Sequence, residues 1–396
     1  MVINPGGSLS VEEIVGRDDE IKRYWGILER QGLVLSGERR IGKTHIVKKM
    51  DAIGRDGFVT VYQELEAVHS LSELVRNLHR AVRERLDGLG KLKASALDVW
   101  DAWAPRQVKG VTLPDLERNW KELLTSAITD TLASISPKER LVLIWDEFPL
   151  MVNNIKARQG ADSAIQLLDL LRHLRQTNPE RLRFLFTGSI GLHLVLQSLR
   201  EAGNNNAPMN DMFEEAVPPM STPDAFNLIT RLLQEIDPKA NETDRFVPIE
   251  QKMFEAVGGF PFYLHHIADR LSQLDRRPEV SDIDEVVEQL VLAPKDPGHF
   301  YWNVERIQVY YPKRKAAIAL AILDAVAGAK KGKPMRLPEI VEAIAAHAEE
   351  PTIEDVREVS RLLCQDQCLE RKGDTKTTAY DFRWPLVKRW WQRNRL

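Results

Sequence analysis

The sequence predicts an α/β core on a parallel sheet, then a small helical domain, then a three-helix module closed by a hairpin. Three observations lead there. Residues 32–36, 57–62, 141–144 and 183–186 are short runs rich in apolar residues, and the third is apolar throughout, the pattern of strands buried on both faces of a parallel sheet. Helical stretches at 45–50 and 71–86 separate the first three of these runs, as parallel pairing requires. Beyond the turn-rich Ala293-Pro294-Lys295-Asp296-Pro297-Gly298 the pattern changes. Helices at 316–327, 337–347 and 353–366 precede two strand-like runs, 368–372 and 378–383, which flank Gly373-Asp374-Thr375-Lys376. The expected domains are 1–222, 223–293 and 294–396. Residues 88–114, with Trp100 and Trp103, read as an insertion whose tryptophans pack rather than bind.

The bulk properties fit this division. A chain of 396 residues suits two or three domains with real cores. With 43% hydrophobic residues, 29% charged and a net charge of −3, it is no globally basic nucleic-acid coat, although a local basic surface is compatible. Cys364 and Cys368 are the only cysteines, which excludes a disulfide framework. They lie four apart on one expected helix. With no second pair and no His close in sequence, they read as core residues before metal ligands. The first ten residues lack the basic and apolar regions of a secretory signal. The longest apolar stretch, 316–329, contains Asp324 and is too short to span a bilayer. A soluble, cytoplasmic chain without a membrane partner is expected.

The loop Gly37-Glu38-Arg39-Arg40-Ile41-Gly42-Lys43-Thr44 fits G-x-x-x-x-G-K-[ST] at every fixed position. It follows a strand and opens a helix beginning near Thr44 and His45, so backbone N–H groups would converge on an anion. Gly37 and Gly42 allow the backbone to wrap closely around phosphate oxygens. Lys43 is the candidate for the β- and γ-phosphates, and the Thr44 hydroxyl for Mg²⁺. This is the signature of a P-loop NTPase.

About a hundred residues on, Leu141-Val142-Leu143-Ile144-Trp145-Asp146-Glu147 has the form of a Walker B motif. Asp146 lies where the chain leaves the sheet, the place where such folds bind ligands. It is the candidate Mg²⁺ holder, and Glu147 the candidate base that polarises the attacking water. The strand at 183–186 ends in Thr187-Gly188-Ser189. Thr187, ranked above Ser189, is the candidate partner of the γ-phosphate or the lytic water, and its strand is expected between the two phosphate-binding strands.

Several separated segments together resemble the AAA+-like ATPases of the STAND and archaeal-ATPase groups, relatives of the origin-recognition initiators. They are Ile14-Val15-Gly16-Arg17-Asp18-Asp19-Glu20, the phosphate loop with its double arginine, Ile144-Trp145-Asp146-Glu147-Phe148, Thr187-Gly188-Ser189, and Gly258-Gly259-Phe260-Pro261-Phe262-Tyr263-Leu264. The resemblance implies an AAA+-like core, a helical lid and a C-terminal winged helix, with ATP and Mg²⁺ as ligands. It places Val15, Gly16 and Arg17 beside the base and Pro261 against the nucleotide. Independently, proline is favoured in the first turn of a helix. The loop residues Arg40 and His45 join the candidate nucleotide ligands. Two departures stand out: Pro261 and Phe262 occupy the region of the family's lid arginine, and the run 208–212 lacks the arginine of archaeal relatives. Arg200 is then the candidate for an arginine acting on a neighbouring copy.

Two outputs follow. One is a nucleotide-driven switch that forms a homo-oligomer in its ATP state and engages a protein partner or effector chain. The other is an ATPase that contacts DNA through the wing and the basic tail. Glu349, Glu350, Glu354, Asp355 and Glu358 around the third helix weaken major-groove reading. Arg371, Lys372, Lys376 and the tryptophan-bearing tail from Arg383 to Arg395 favour DNA, unless the tail packs on its own module.

Overall fold

A computed structural model describes residues 2–7, 9–90, 119–203, 206–237, 247–329, 333–345, 351–373 and 378–396. Most of the expected insertion, with Trp100 and Trp103, lies outside these residues, as do Glu349, Glu350 and Lys376. The chain forms two compact units. The sheet unit comprises Asp18–Ser36 and Lys43–Ala216, and the C-terminal unit comprises Met1–Arg17, Gly37–Gly42 and Val217–Leu396.

In the sheet unit the order is α1 (Asp18–Leu28), β1 (Gly32–Ser36), α2 (Lys43–Ile53), β2 (Phe58–Glu64), α3 (Leu71–Gly88), α4 (Trp120–Ser134), β3 (Arg140–Asp146), α5 (Phe148–Gln159), α6 (Ala161–Thr177), β4 (Leu182–Thr187), α7 (Leu192–Glu201) and β5 (Met212–Ala216). The five strands pair in the order β2-β3-β4-β1-β5, and every pairing is parallel. This is an α/β P-loop core of AAA+ type. The run from Leu141 to Trp145 is 0% exposed at every residue, as a central strand covered on both faces requires. Strand β4 lies between β3 and β1, as expected of the sensor strand. Its register sets Thr187 beside Leu35 at one end of the sheet, and Trp145 beside Phe186 brings Asp146 to that same end.

Strand β5 has no counterpart among the expected elements. Its sequence, MFEEA, is largely exposed and carries two glutamates, so it lacks the apolar signature of the inner strands. It lies at the edge, where one side of the ladder is open to charged residues.

The C-terminal unit holds α8 (Thr222–Ile236), α9 (Val247–Val257), α10 (Pro261–Leu271), α11 (Val280–Val291), α12 (Trp302–Tyr310), α13 (Lys313–Ala327), β6 (Met335–Arg336), α14 (Leu337–Ile344), α15 (Ile353–Gln365), β7 (Leu369–Lys372), β8 (Ala379–Phe382) and α16 (Pro385–Asn394). Strands β6, β8 and β7 form an antiparallel sheet in that order. Helix α12 was not expected from the sequence. Cys368 lies past the end of α15, so the two cysteines do not share one helix as expected. Cys368 is buried and Cys364 half-buried, and burial pushes both thiols up, to about 12 and about 11. Among the described residues no cluster of His, Cys, Asp and Glu could hold a metal ion. No described helix is long and apolar enough to cross a membrane.

Helix α16 packs its apolar face inward: Leu386, Val387, Trp390 and Trp391 are all buried. Trp391 donates its indole N–H to Asp324 at 2.6 Å. The basic residues of the tail are paired within the same unit. Arg389 and Arg393 meet Glu288 at 2.9 Å, Arg395 meets Asp324 at 3.1 Å, and Lys388 meets Asp381 at 2.6 Å. The tail is therefore part of this unit's packing, the alternative to a free basic arm that the sequence also offered.

Candidate functional site

Strand β1 ends at Ser36 and α2 begins at Lys43, so the six-residue segment Gly37–Gly42 makes the whole reversal. Its geometry needs the glycines. Gly42 has φ of 101°, a region that side chains avoid, and a Cβ built there meets no described atom within 4 Å. Lys43, the first residue of α2, is 6% exposed, a deep position for an ammonium group. Thr44 and His45 are half-buried on the same turn. Burial, with the neighbouring Lys48, holds the His45 imidazole below its ordinary range.

At the C-terminal ends of β2, β3 and β4 three side chains form one hydrogen-bonded group. The Thr187 hydroxyl donates to Asp146 Oδ1, and the Tyr62 hydroxyl reaches Asp146 Oδ2 at 3.4 Å. Asp146 is 1% exposed and Thr187 also 1%. Burial, then the Asp146 charge, pushes the Tyr62 phenol up, so it remains a donor. Thr187 thus holds the Asp146 carboxylate.

Glu147 caps α5 in a left-handed conformation, with φ of 57° and ψ of 30°. Its Oε2 accepts the Ser189 backbone N–H at 2.9 Å and the Ser189 hydroxyl at 2.8 Å. Burial raises its pKa above the ordinary glutamate range, against the lowering effect of Ser189 and of Lys43. Ser189 was ranked below Thr187, yet it is the residue that positions Glu147. The signal was the Thr-Gly-Ser turn itself, where the sequence put Thr187 first. Gly188 lets the turn approach: a Cβ there would lie 2.5 Å from Pro149 Cδ in α5. Beneath this group Trp145, Phe148, Phe184 and Phe186 are fully buried, with Phe148 and Phe186 stacked at 3.8 Å. These rings fix the base of the site in one arrangement.

Apart from Arg200, the remaining candidates lie in the C-terminal unit. Arg17 is 3% exposed and donates to the carbonyls of Pro218 at 2.9 Å and Ile41 at 3.1 Å, so it secures the loop backbone. Gly16 has φ of 67°, and a Cβ there would meet Asp224 at 2.5 Å. Val15 beside it is half-buried. Pro261 opens α10, as expected from the first-turn preference. The Arg40 guanidinium lies 4.5 Å over the Phe262 ring and 3.0 Å from His299 Nε2, which turns it towards α10. In the sheet unit Arg200 is exposed in the last turn of α7.

Comparison with known proteins agrees with this geometry. The AAA domain family matches residues 27–196. The fold is similar to that of a Walker-type ATPase of Pyrococcus abyssi, at 16% identity and a TM-score of 0.63, covering 98% of this chain and 99% of that one. It is also similar to the ORC2 protein of Aeropyrum pernix, solved in ADPNP–ADP complexes, at 15% identity and a TM-score of 0.53, covering 99% of this chain and 97% of the other. No curated protein matches the sequence. With β4 set between β3 and β1, Asp146 and Glu147 at the end of β3, and both likenesses running nearly end to end, the chain has an α/β P-loop fold of AAA+ type, similar over residues 27–196 to the AAA domain family.

Proposed function

We propose that this chain binds and hydrolyses ATP, and that its nucleotide state controls self-assembly and the engagement of a protein partner through the C-terminal module. The observation that carries the reading is the pairing of two carboxylates with two hydroxyls: Asp146 with Thr187, and Glu147 with Ser189. A strand that merely ends in Asp-Glu has no need of such partners.

The residues present fit a nucleotide triphosphate with Mg²⁺. A buried ammonium, Lys43, stands at a helix N-terminus beside a glycine whose open side admits an oxygen. The Thr44 hydroxyl and the Asp146 carboxylate are the hard oxygen donors that Mg²⁺ takes. When bound, Mg²⁺ would offset charge developing on the phosphate oxygens. Lys43 would hold those oxygens electrostatically. Glu147, kept neutral to a higher pH than an exposed glutamate, would accept the proton of the attacking water. Ser189 holds that carboxylate in place until water is bound. Val15, Gly16, Arg17, Arg40 and His45 would lie around the nucleotide, with Pro261 contacting it, and Arg200 would serve a neighbouring copy.

The C-terminal helices and three-stranded sheet are read as a winged helix. A protein partner is preferred over DNA because the basic side chains are paired with acidic neighbours. On the third helix Glu354 pairs with Arg357, Asp355 with Arg314 and Glu358 with Lys315, and the tail is paired as described. Counterion release needs free positive charge at the contact, and these pairs leave little.

Lys43→Ala should abolish ATP binding measured by calorimetry, while the protein keeps its melting behaviour without nucleotide. Mass photometry of Glu147→Gln with ATP should show oligomers, and added duplex DNA should not change them. Assembly only with DNA would favour the initiator-like reading. Retention of ATP binding by Lys43→Ala would contradict the site.

A further inference from the structure

The phosphate-binding loop is gripped by residues more than 260 positions away. Glu38 is 3% exposed, and its Oε2 lies 3.5 Å from Nη2 of Arg306, itself 2% exposed, across a separation of 268 residues. The same Nη2 donates to the Asp366 carbonyl at 3.0 Å and to Cys368 Sγ at 2.9 Å. The Asp366 carboxylate accepts the Tyr311 hydroxyl at 2.5 Å. One turn before Arg306 on α12, Trp302 carries the Arg39 guanidinium 4.3 Å over its ring. Adjacent loop residues are thus held by two residues of one short helix.

The turn reached by Arg306 is itself well defined. Gln367 has φ of 63°, and the amides of Asp366, Gln367 and Cys368 donate to the carbonyls of Leu362, Cys364 and Leu363 at 2.8, 3.1 and 2.9 Å. It joins α15 to β7, the point where the third helix of the module passes into its hairpin.

We infer that Arg306 is a positioning residue for the phosphate-binding loop, and that it links the loop's conformation to the turn at Asp366, Gln367 and Cys368. The inference rests on the nucleotide-switch reading. A buried charge must keep a partner. Any shift of the loop around a phosphate moves Glu38 or holds it, and Arg306 responds because its single Nη2 serves Glu38, Asp366 and Cys368 together. Its rigid guanidinium cannot follow Glu38 and keep the other two bonds unchanged. Loop and turn therefore share one contact, through which a shift of either reaches the other.

Hydrogen exchange over residues 363–372, with and without MgADP, tests this on the full chain. In the wild type, MgADP should change exchange of the 366–368 amides by about fivefold or more. The double variant Glu38→Gln with Arg306→Met removes both charges together, so neither is left buried alone. It should still bind MgADP, with altered affinity, but lose that response. Arg306→Lys should restore part of it, because the charge returns without the fork. Where the double variant does not fold, Glu38→Gln alone is the readout, with the response weakened. An equal response in wild type and variant would overturn the link, as would MgADP binding to wild type with no response in 363–372. Failure of wild type to bind MgADP would overturn the nucleotide reading, and the link with it.

Discussion

Glu147 occupies a left-handed backbone conformation that costs a non-glycine residue of order 1–3 kcal/mol unless its surroundings fix it. Ser189 supplies that fixing through two hydrogen bonds to one carboxylate oxygen. The consequence is a pH dependence with a definite sign. Burial raises the folded pKa of Glu147 above 4.5, so base function is complete above that raised value and is lost as pH falls through it. The acid limb of kcat should therefore lie above that of an ordinary glutamate. Ser189→Ala removes a hydrogen bond that favours the charged form, so the limb should move to still higher pH in a kcat–pH profile. An unmoved limb would show that Ser189 does not act on the base. Arg306→Ala is predicted to destabilise by about 3–5 kcal/mol, since it breaks a buried ion pair and removes the bonds of Arg306 to Asp366 and Cys368. Chemical denaturation should find the neutral double variant closer to wild type than this single one.

At the scale of elements, the C-terminal helix α16 separates packing from charge. Trp391 is 0% exposed, and Trp391→Ala should cost about 3–5 kcal/mol in chemical denaturation. Arg389→Ala with Arg393→Ala removes partly exposed pairs to Glu288 and should cost only about 1 kcal/mol, with little change in salt-titrated DNA affinity. A large loss of DNA affinity in that double variant would return the tail to a nucleic-acid role. The inner strands were legible because β3 and β4 are covered on both faces and so carry mostly apolar residues, with 141–145 apolar throughout. Edge strand β5 was not, because Glu214 and Glu215 face a less covered environment. Helix α12 was missed because its buried Asn303 and Arg306 break the apolar stripe that marks a packed helix. Of these, Arg306 holds distant parts of the unit, and Asn303 bonds locally to the Phe300 carbonyl.

At the scale of the whole molecule, the phosphate-binding loop belongs by its contacts to the C-terminal unit, while the strand and helix on either side of it belong to the sheet unit. Local motifs revealed the site because phosphate, Mg²⁺ and base chemistry demand particular residues within short spans, as at 37–44 and 146–147. The grip on Glu38 was invisible in the sequence, since a contact across 268 residues leaves no local pattern. The most direct test of the central claim is single-turnover hydrolysis of ATP by wild type and Glu147→Gln at saturating protein. The account predicts ATP affinity within a few-fold of wild type and hydrolysis slowed by about 10²–10⁴-fold. Hydrolysis by Glu147→Gln at the wild-type rate would contradict it.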